Sequence, residues 1–353
     1  MSLNEVRRKW ALGRRDLFAD AFGAKNRRVS CGCPCRGRGA EGKDEVMKRL
    51  FMLGWIGLMA ASGWASEVSA SEVSWNGRII DVKSREQITI DGLSRRLKNV
   101  KYLVLGEKHN TPTIQHAQAQ VMEAAVKENQ AIGNFTLAWE FLNFSSQPQI
   151  SSQFDRFLAG EIDVFALLMS LQGSSSFDSY VPLIEGARAL KGRLLGVNLS
   201  RAEKAPVVQG GIAAADPSLV PPGFEMGSDY YRERFEETMA GHAPAEKLSN
   251  YFAAQCLTDD VMAYRMFTET DVALRVLVTG SFHADYHDGV VARLLARDSA
   301  PALAAVRFID ASDYTEATLI GELLTHPRYG DLADFVFFVN EPQAEAPAPP
   351  ALR

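Results

Sequence analysis

The stretch Tyr102-Leu-Val-Leu-Gly-Glu-Lys-His-Asn110 constrains this chain more than any other. Four apolar residues stop at Gly106, and Glu107 and His109 follow at once. A short apolar run without polar alternation suits a strand covered on both faces, as in a parallel sheet packed between helices. Side chains alternate along an extended backbone, so Glu107 and His109 point the same way. Thr111-Pro112 then opens a helix, with Thr as cap and Pro at the first helical position. A carboxylate and an imidazole at such a strand end can bind a metal ion or move a proton. They can equally cap the helix and satisfy a backbone carbonyl.

The pattern recurs. Asn134-Phe-Thr-Leu-Ala-Trp-Glu140 ends in a carboxylate, Leu194-Leu-Gly-Val197 ends in Asn198, and Leu274-Arg-Val-Leu-Val-Thr279 runs into Gly280-Ser-Phe-His283. Residues 304–309 and 335–339 read as closing strands, and 78–82 and 87–90 as short opening ones. Helical periodicity covers 113–127, 147–158, 163–171, 178–190, 226–239 and 245–267, with 93–97 as a single turn and 209–227 as a long Gly/Pro/Ala-rich loop. Strands alternating with helices predict an α/β fold. Its central sheet is largely parallel and flanked by helices, and an insert at about 145–192 forms a lid. Glu107, His109, Glu140, Asn198 and His283 all fall at carboxyl ends of strands, the edge where open α/β sheets bind ligands. One shared site of Glu107, His109, Glu140 and His283 follows. His116 and Gln120 stand four apart on the first long helix. Gln255, Asp259, Met262 and Met266 form one stripe of the longest helix, facing a pocket or forming an ordinary surface.

Residues 1–46 are Arg- and Gly-rich and carry Cys31-Gly-Cys-Pro-Cys35 without a matching second ligand pair, so zinc is not expected there. Met47-Lys-Arg49, an apolar run at 50–61 and Gly63-Trp-Ala65 have the order of a secretory signal peptide at 47–65. Residues 1–46 then read as a misassigned or upstream extension. Of 38 Lys+Arg and 43 Asp+Glu, 13 and 6 lie in residues 1–65, which leaves 25 and 37 and a net charge of −12. That balance argues against nucleic acid and anionic membranes as partners. Only Cys256 lies beyond the leader, and no Cys sits near its end for lipid attachment. Export without disulfides fits a periplasmic or outer-membrane-associated protein. One domain is expected over 75–340, followed by a low-complexity, disordered Pro/Ala tail at 341–353.

Gly106-Glu-Lys-His109 with His116 and Gln120, Glu140, Tyr180-Val-Pro-Leu-Ile184, Leu195-Gly-Val-Asn198, the 254–263 segment with Gln255, Asp259 and Met262, and Gly280-Ser-Phe-His283 with Gly289 follow in order. As a set they resemble the ChaN-like haem-binding proteins, grouped with the Tiki, TraB and erythromycin-esterase proteins. The resemblance implies an α/β core and a role in iron acquisition. It also implies haem bound as cofacial pairs in a homodimer, with tyrosine as an iron ligand. An outer-membrane haem receptor or a periplasmic transporter would be the partner. Many members are lipoproteins, and this chain departs there.

Two functional readings follow. Ferric haem needs an apolar slot and an axial Tyr or His; Tyr180, Tyr230, Tyr231, Tyr264 and Tyr286 are available, with His287 as a further ligand. Met169, Phe177, Met226, Met262 and Met266 are candidate porphyrin walls. Alternatively Glu107, His109, Glu140 and His283 hold a divalent metal ion in a hydrolase, as ligands and general base. A ligand-free buried polar network is the third possibility. No Gly-x-Ser-x-Gly elbow is present, and Cys256 falls inside a helix.

Overall fold

Side-chain parity along the strands decides this architecture. In a computed structural model, residues 76–313 and 323–340 are described. The expected leader, the 1–46 extension and the 341–353 tail lie outside the described residues. The strands are β1 (Ile79–Asp81), β2 (Gln87–Ile88), β3 (Tyr102–Glu107), β4 (Phe135–Asn143), β5 (Arg193–Asn198), β6 (Leu274–Gly280), β7 (Leu303–Asp310), β8 (Thr325–His326), β9 (Gly330–Asp331) and β10 (Phe335–Val339). Eight of them form one sheet in the order β2-β1-β10-β7-β3-β6-β4-β5. The six from β10 to β5 run parallel, and β1 and β2 add an antiparallel edge. β8 and β9 form a separate hairpin.

The helices are α1 (Ile90–Arg96), α2 (Pro112–Glu128), α3 (Gln147–Leu158), α4 (Val164–Gln172), α5 (Val181–Ala189), α6 (Arg201–Gly210), α7 (Asp229–Met239), α8 (Leu248–Thr268) and α9 (Gly289–Arg297). Leu103 and Leu105 of β3, Leu137 and Trp139 of β4, and Val276 and Val278 of β6 pack with α2 to α5 on one face. Val104, Ala138 and Leu277, of opposite parity, pack with Met262 and Met266 of α8 and Val290, Val291 and Leu294 of α9 on the other. Each such large side chain contributes roughly 1.5–3 kcal/mol on burial.

The connections after β3 and β4 run over the α2–α5 face, while that after β6 runs over the α9 face. β6 lies between β3 and β4, so the strand order reverses its sense there. Side chains from both layers can meet at that carboxyl edge.

Several local expectations are revised. The stretch at 87–90 is strand only to Ile88, because Thr89 caps α1, its hydroxyl accepting from Gly92 N at 3.1 Å. Thr111 stands at the N-cap of α2, but its hydroxyl is 3.3 Å from the His109 carbonyl and makes no side-chain cap bond. α7 starts at Asp229 rather than 226, since Ser228 caps it by accepting from Tyr231 N at 3.1 Å. α6 is an additional helix outside the periodic segments; Ser200-Arg-Ala-Glu203 spells a capping box and both of its bonds form. The 145–192 insert is the β4–β5 crossover, and it closes over the sheet edge through Tyr180.

Candidate functional site

Parity carries directly into the site. Glu107 continues the Leu103–Leu105 series and so turns toward α2 and α5; Glu140 continues from Ala138 and turns toward α8. Two carboxylate–imidazole pairs result, one from each layer. Glu107 is fully buried. It accepts from Gln115 Nε2 at 2.8 Å and from the Tyr180 hydroxyl, and it meets His109 Nδ1 at 2.8 Å. Burial, and then the neighbouring Glu107 carboxylate, push the Tyr180 phenol well above its ordinary range. Tyr180 is therefore a neutral donor inside the core.

Glu140 Oε2 accepts from Thr279 Oγ1 at 2.7 Å and from the Gly280 amide at 2.6 Å, while Oε1 lies 3.2 Å from His283 Nε2. His283 Nδ1 lies 2.5 Å from Asp259 Oδ1. Asp259 also accepts from the Tyr231 hydroxyl at 2.7 Å, and Gln255 Nε2 stands 3.1 Å from that hydroxyl. Both nitrogens of His283 thus face carboxylates, the arrangement of an imidazolium. Burial alone would lower its pKa, but Glu140 and Asp259 outweigh burial and raise it to about 10. For Glu140, burial opposes ionisation, and His283 with its hydrogen bond holds the carboxyl well below its usual range. His109 is also raised: burial disfavours its charge, but the Glu107 hydrogen bond and Glu140 reverse the sign.

These shifts carry a pH signature. His283 has a folded pKa above its ordinary 6.5, so its contribution is fully present below pH 6.5 and is lost as pH rises toward 10. Glu140 is depressed from 4.5, so its contribution is present above that value and is lost in acid. Denaturant midpoints measured from pH 4 to 10 should peak between the two ordinary values and fall steadily on the alkaline side. A flat profile from pH 6.5 to 10 would contradict the charged His283.

Two glycines make the assembly possible. A Cβ on Gly280 would lie 2.9 Å from His109 Nε2 and 3.5 Å from Glu140 Oε2, so the bare strand end lets the two pairs approach. Gly289 has φ +55, and a Cβ there would lie 2.3 Å from the His283 carbonyl oxygen. Gly289→Ala is expected to destabilise by ~3 kcal/mol or more, read by chemical denaturation, because strain and overlap add. Tyr286 and His287 also take positive φ, 64 and 57, in the same turn.

The other expected site residues are placed as follows. Asn198 donates to the Glu140 carbonyl at 2.8 Å and tethers the strand end. Gln255 and Asp259 meet His283, but Met262 and Met266 are fully buried in the α8 layer beneath the sheet and wall no slot. His116 is exposed on α2; it is Gln115 that turns to Glu107. Gln120 is also exposed. Tyr180 and Tyr231 are buried donors, Tyr286 is buried beneath the Arg234 guanidinium, and Tyr264 is half-buried beneath Arg297. His287 Nε2 lies 3.2 Å from Asp334. Tyr230 is 51 % exposed, and Met169 and Met226 are exposed too. Phe177 packs edge-on to Phe141 and Trp139.

Gln115, Thr279 and Lys204 were not singled out from the sequence. Gln115 follows Glu107 by eight residues across a turn whose geometry only the fold defines. Lys204 is half-buried with Nζ 3.5 Å from Asn198 Oδ1, and burial lowers its pKa. Among the described residues, no group of three or more His, Cys, Asp or Glu has the spacing to hold a metal ion.

A family model described as haem-binding uptake, Tiki superfamily, ChaN, matches residues 93–294, a span holding both pairs and Gly289. The chain belongs to this family. Among solved structures it is similar to ChaN of Campylobacter jejuni, whose structure is described as showing cofacial haem binding. The likeness has a TM-score of 0.58 at 21% identity and covers 73% of this chain and 95% of that one. It bears out the expected α/β fold. More distant similarity extends to RRSP, a MARTX toxin effector domain of Vibrio vulnificus, with TM-score 0.35, 18% identity and coverage of 66% of this chain and 38% of that one. A Bacillus cereus protein is similar at TM-score 0.35 and 11% identity, covering 63% and 69% of the two chains. No curated protein matches significantly.

Proposed function

We propose that this ChaN-family protein is exported and binds ferric haem on the face around Tyr230, as a carrier in haem uptake. The observation that carries the reading is the exposure of Tyr230. Among the described residues it is the one tyrosine whose ring stands free of the core, while the other candidates are buried or half-buried. A phenolate is a hard anionic oxygen and suits Fe(III). Tyr329 packs edge-on to Tyr230 with centroids 6.1 Å apart, and the Arg328 guanidinium lies 5.6 Å from the Tyr230 ring centroid. That guanidinium is paired with Glu233 at 2.6 Å and keeps further N–H donors for a haem carboxylate. Exposed Met226 adds apolar surface nearby in sequence. The donor set therefore fits haem as cargo.

A porphyrin seated on so open a face keeps one side bare. A second copy of the chain bringing its own haem covers it, so the proposed bound state is a homodimer. Delivery to an outer-membrane receptor or a periplasmic transporter completes the proposed role. Haemin titration followed by absorbance, with sedimentation of the product, tests the reading. Saturation with a ferric tyrosinate-like band and a shift to dimer is the expected result; no saturable change would sink it.

A second reading, a divalent-metal hydrolase, is favoured by one detail. Glu107 and Asp259 hold the Nδ1 atoms of His109 and His283, the outer-shell pattern that orients metal-binding imidazoles. Glu107 would then support rather than ligate. His109, Glu140 and His283 would need to draw together around the ion, which would act on water or a carbonyl as a Lewis acid. Metal analysis of purified protein, with and without Glu140→Gln, separates this reading from the first.

A further inference from the structure

We infer that Glu233 is the positioning residue of the haem face: it holds Arg328 and Tyr329 beside Tyr230, so that Tyr230 and not its neighbour is presented to iron. The inference rests on the reading of Tyr230 as the haem ligand. Tyr230, Glu233 and Glu237 share one face of α7 by their spacing of three and four. The turn between β8 and β9 packs on that face and brings Arg328 and Tyr329.

Three side chains with a donor atom for Fe(III) meet here: Tyr230, Tyr329 and His326. The His326 ring lies flat on the Tyr329 ring, with centroids 4.3 Å apart and planes 15° apart. Its Nδ1 accepts from Arg328 N at 3.2 Å and from Tyr329 N at 3.3 Å. A neutral imidazole with an acceptor Nδ1 carries its proton on Nε2, so neither nitrogen is ready to bind iron. Tyr329 is half-buried, edge-on to Tyr286 at 5.5 Å as well as to Tyr230. Burial, then the negative charges of Glu237 and Glu233 and a hydrogen bond to Glu233, push its phenol up. A phenol held in this way keeps its proton and offers iron no anionic oxygen.

The same carboxylate takes Arg328 Nη2 at 2.6 Å. As an ion pair alone this contributes little, because the Arg328 side chain is 58% exposed. Its effect is geometric. One carboxylate serving two successive residues of the turn fixes the guanidinium 5.6 Å from the Tyr230 ring centroid and ties the Tyr329 hydroxyl to α7. Glu233 thus commits one tyrosine and leaves the other to the ligand.

The test is haemin titration of the full chain, followed by absorbance, in a nested set of variants. The wild type should show the ferric tyrosinate band, and Tyr230→Phe should lack it. Tyr230→Phe/Glu233→Ala should show a tyrosinate band again and regain about tenfold in haemin affinity over Tyr230→Phe, because Tyr329 is released. Adding Tyr329→Phe to that pair should remove the band once more. A role of Glu233 in folding alone would restore no band. Thermal melts establish that each variant is folded. Glu233→Gln, which keeps the shape and removes the charge, repeats the test should Glu233→Ala not fold. A wild-type band with none in the double variant, or a restored band that survives Tyr329→Phe, overturns the role of Glu233 and leaves the Tyr230 reading standing. A band absent from the wild type, or persisting in Tyr230→Phe, overturns the Tyr230 reading and this inference with it.

Discussion

Tyr230→Phe is expected to abolish the ferric tyrosinate band of the haemin-loaded protein and to weaken haemin binding by roughly a hundredfold, ~2.7 kcal/mol. The physical basis is access. A porphyrin needs flat approach to its iron ligand, and the phenol of Tyr230 stands in solvent beside the Arg328 guanidinium. Phe keeps the ring and its packing on Tyr329 and removes only the oxygen, so a folding defect cannot imitate the result. Tyr180→Phe is the informative control. That hydroxyl is buried and committed to Glu107, so its loss should leave the haem band intact and cost ~1–3 kcal/mol of stability. Absorbance titration of the two variants side by side checks both statements. A band that survives Tyr230→Phe and vanishes in Tyr180→Phe would move the haem to the sheet edge and refute the proposed face.

The second large effect belongs to Glu140. Glu140→Ala should destabilise the protein by ~3–5 kcal/mol, because removing one member of a buried ion pair strands the other. His283 would keep Asp259 but lose the carboxylate at Nε2, and Thr279 Oγ1 and the Gly280 amide would lose their acceptor. In a domain of this size the melting temperature should fall by about 10 °C. The His283 pKa should drop from about 10 toward its ordinary 6.5, which imidazole NMR reads directly. Haemin affinity should barely change, since Tyr230 lies outside this network. A loss below about 1 kcal/mol with an unmoved His283 titration would show that the pair is not charged in the native state.

Much of the fold was legible from apolar runs alone. The runs at 102–105, 134–139, 194–197 and 274–279 became β3, β4, β5 and β6, since a run too short for a helix and apolar on both parities has few other uses. Their polar endings gather at one sheet edge, where Glu107 meets His109 and Glu140 meets His283. Glu107 and His109 also paired as alternation requires.

What was not legible depended on partners distant in sequence. Spacing of four suggested His116 and Gln120, yet a helix presents its faces according to its docking angle, and Gln115 is the residue turned inward. The α8 stripe looked uniform, but its two ends meet different neighbours. Gln255 and Asp259 reach the His283 turn, while Met262 and Met266 lie under the sheet. The Ser200 capping box marks the start of α6 locally, but Pro206 and the Gly- and Pro-rich stretch that follows mask its helical period.

Local pattern by itself determined that this chain builds a mostly parallel sheet with a polar carboxyl edge, because backbone periodicity and burial act over a few residues. Only the tertiary structure decided that β6 lies between β3 and β4. That placement brings Gly280 between two carboxylates of opposite parity and lets one edge hold two ion pairs from two layers. Only the tertiary structure, likewise, decided which of the described tyrosines lie inside the core and that Tyr230 faces solvent, because exposure belongs to the packed chain and not to any residue alone.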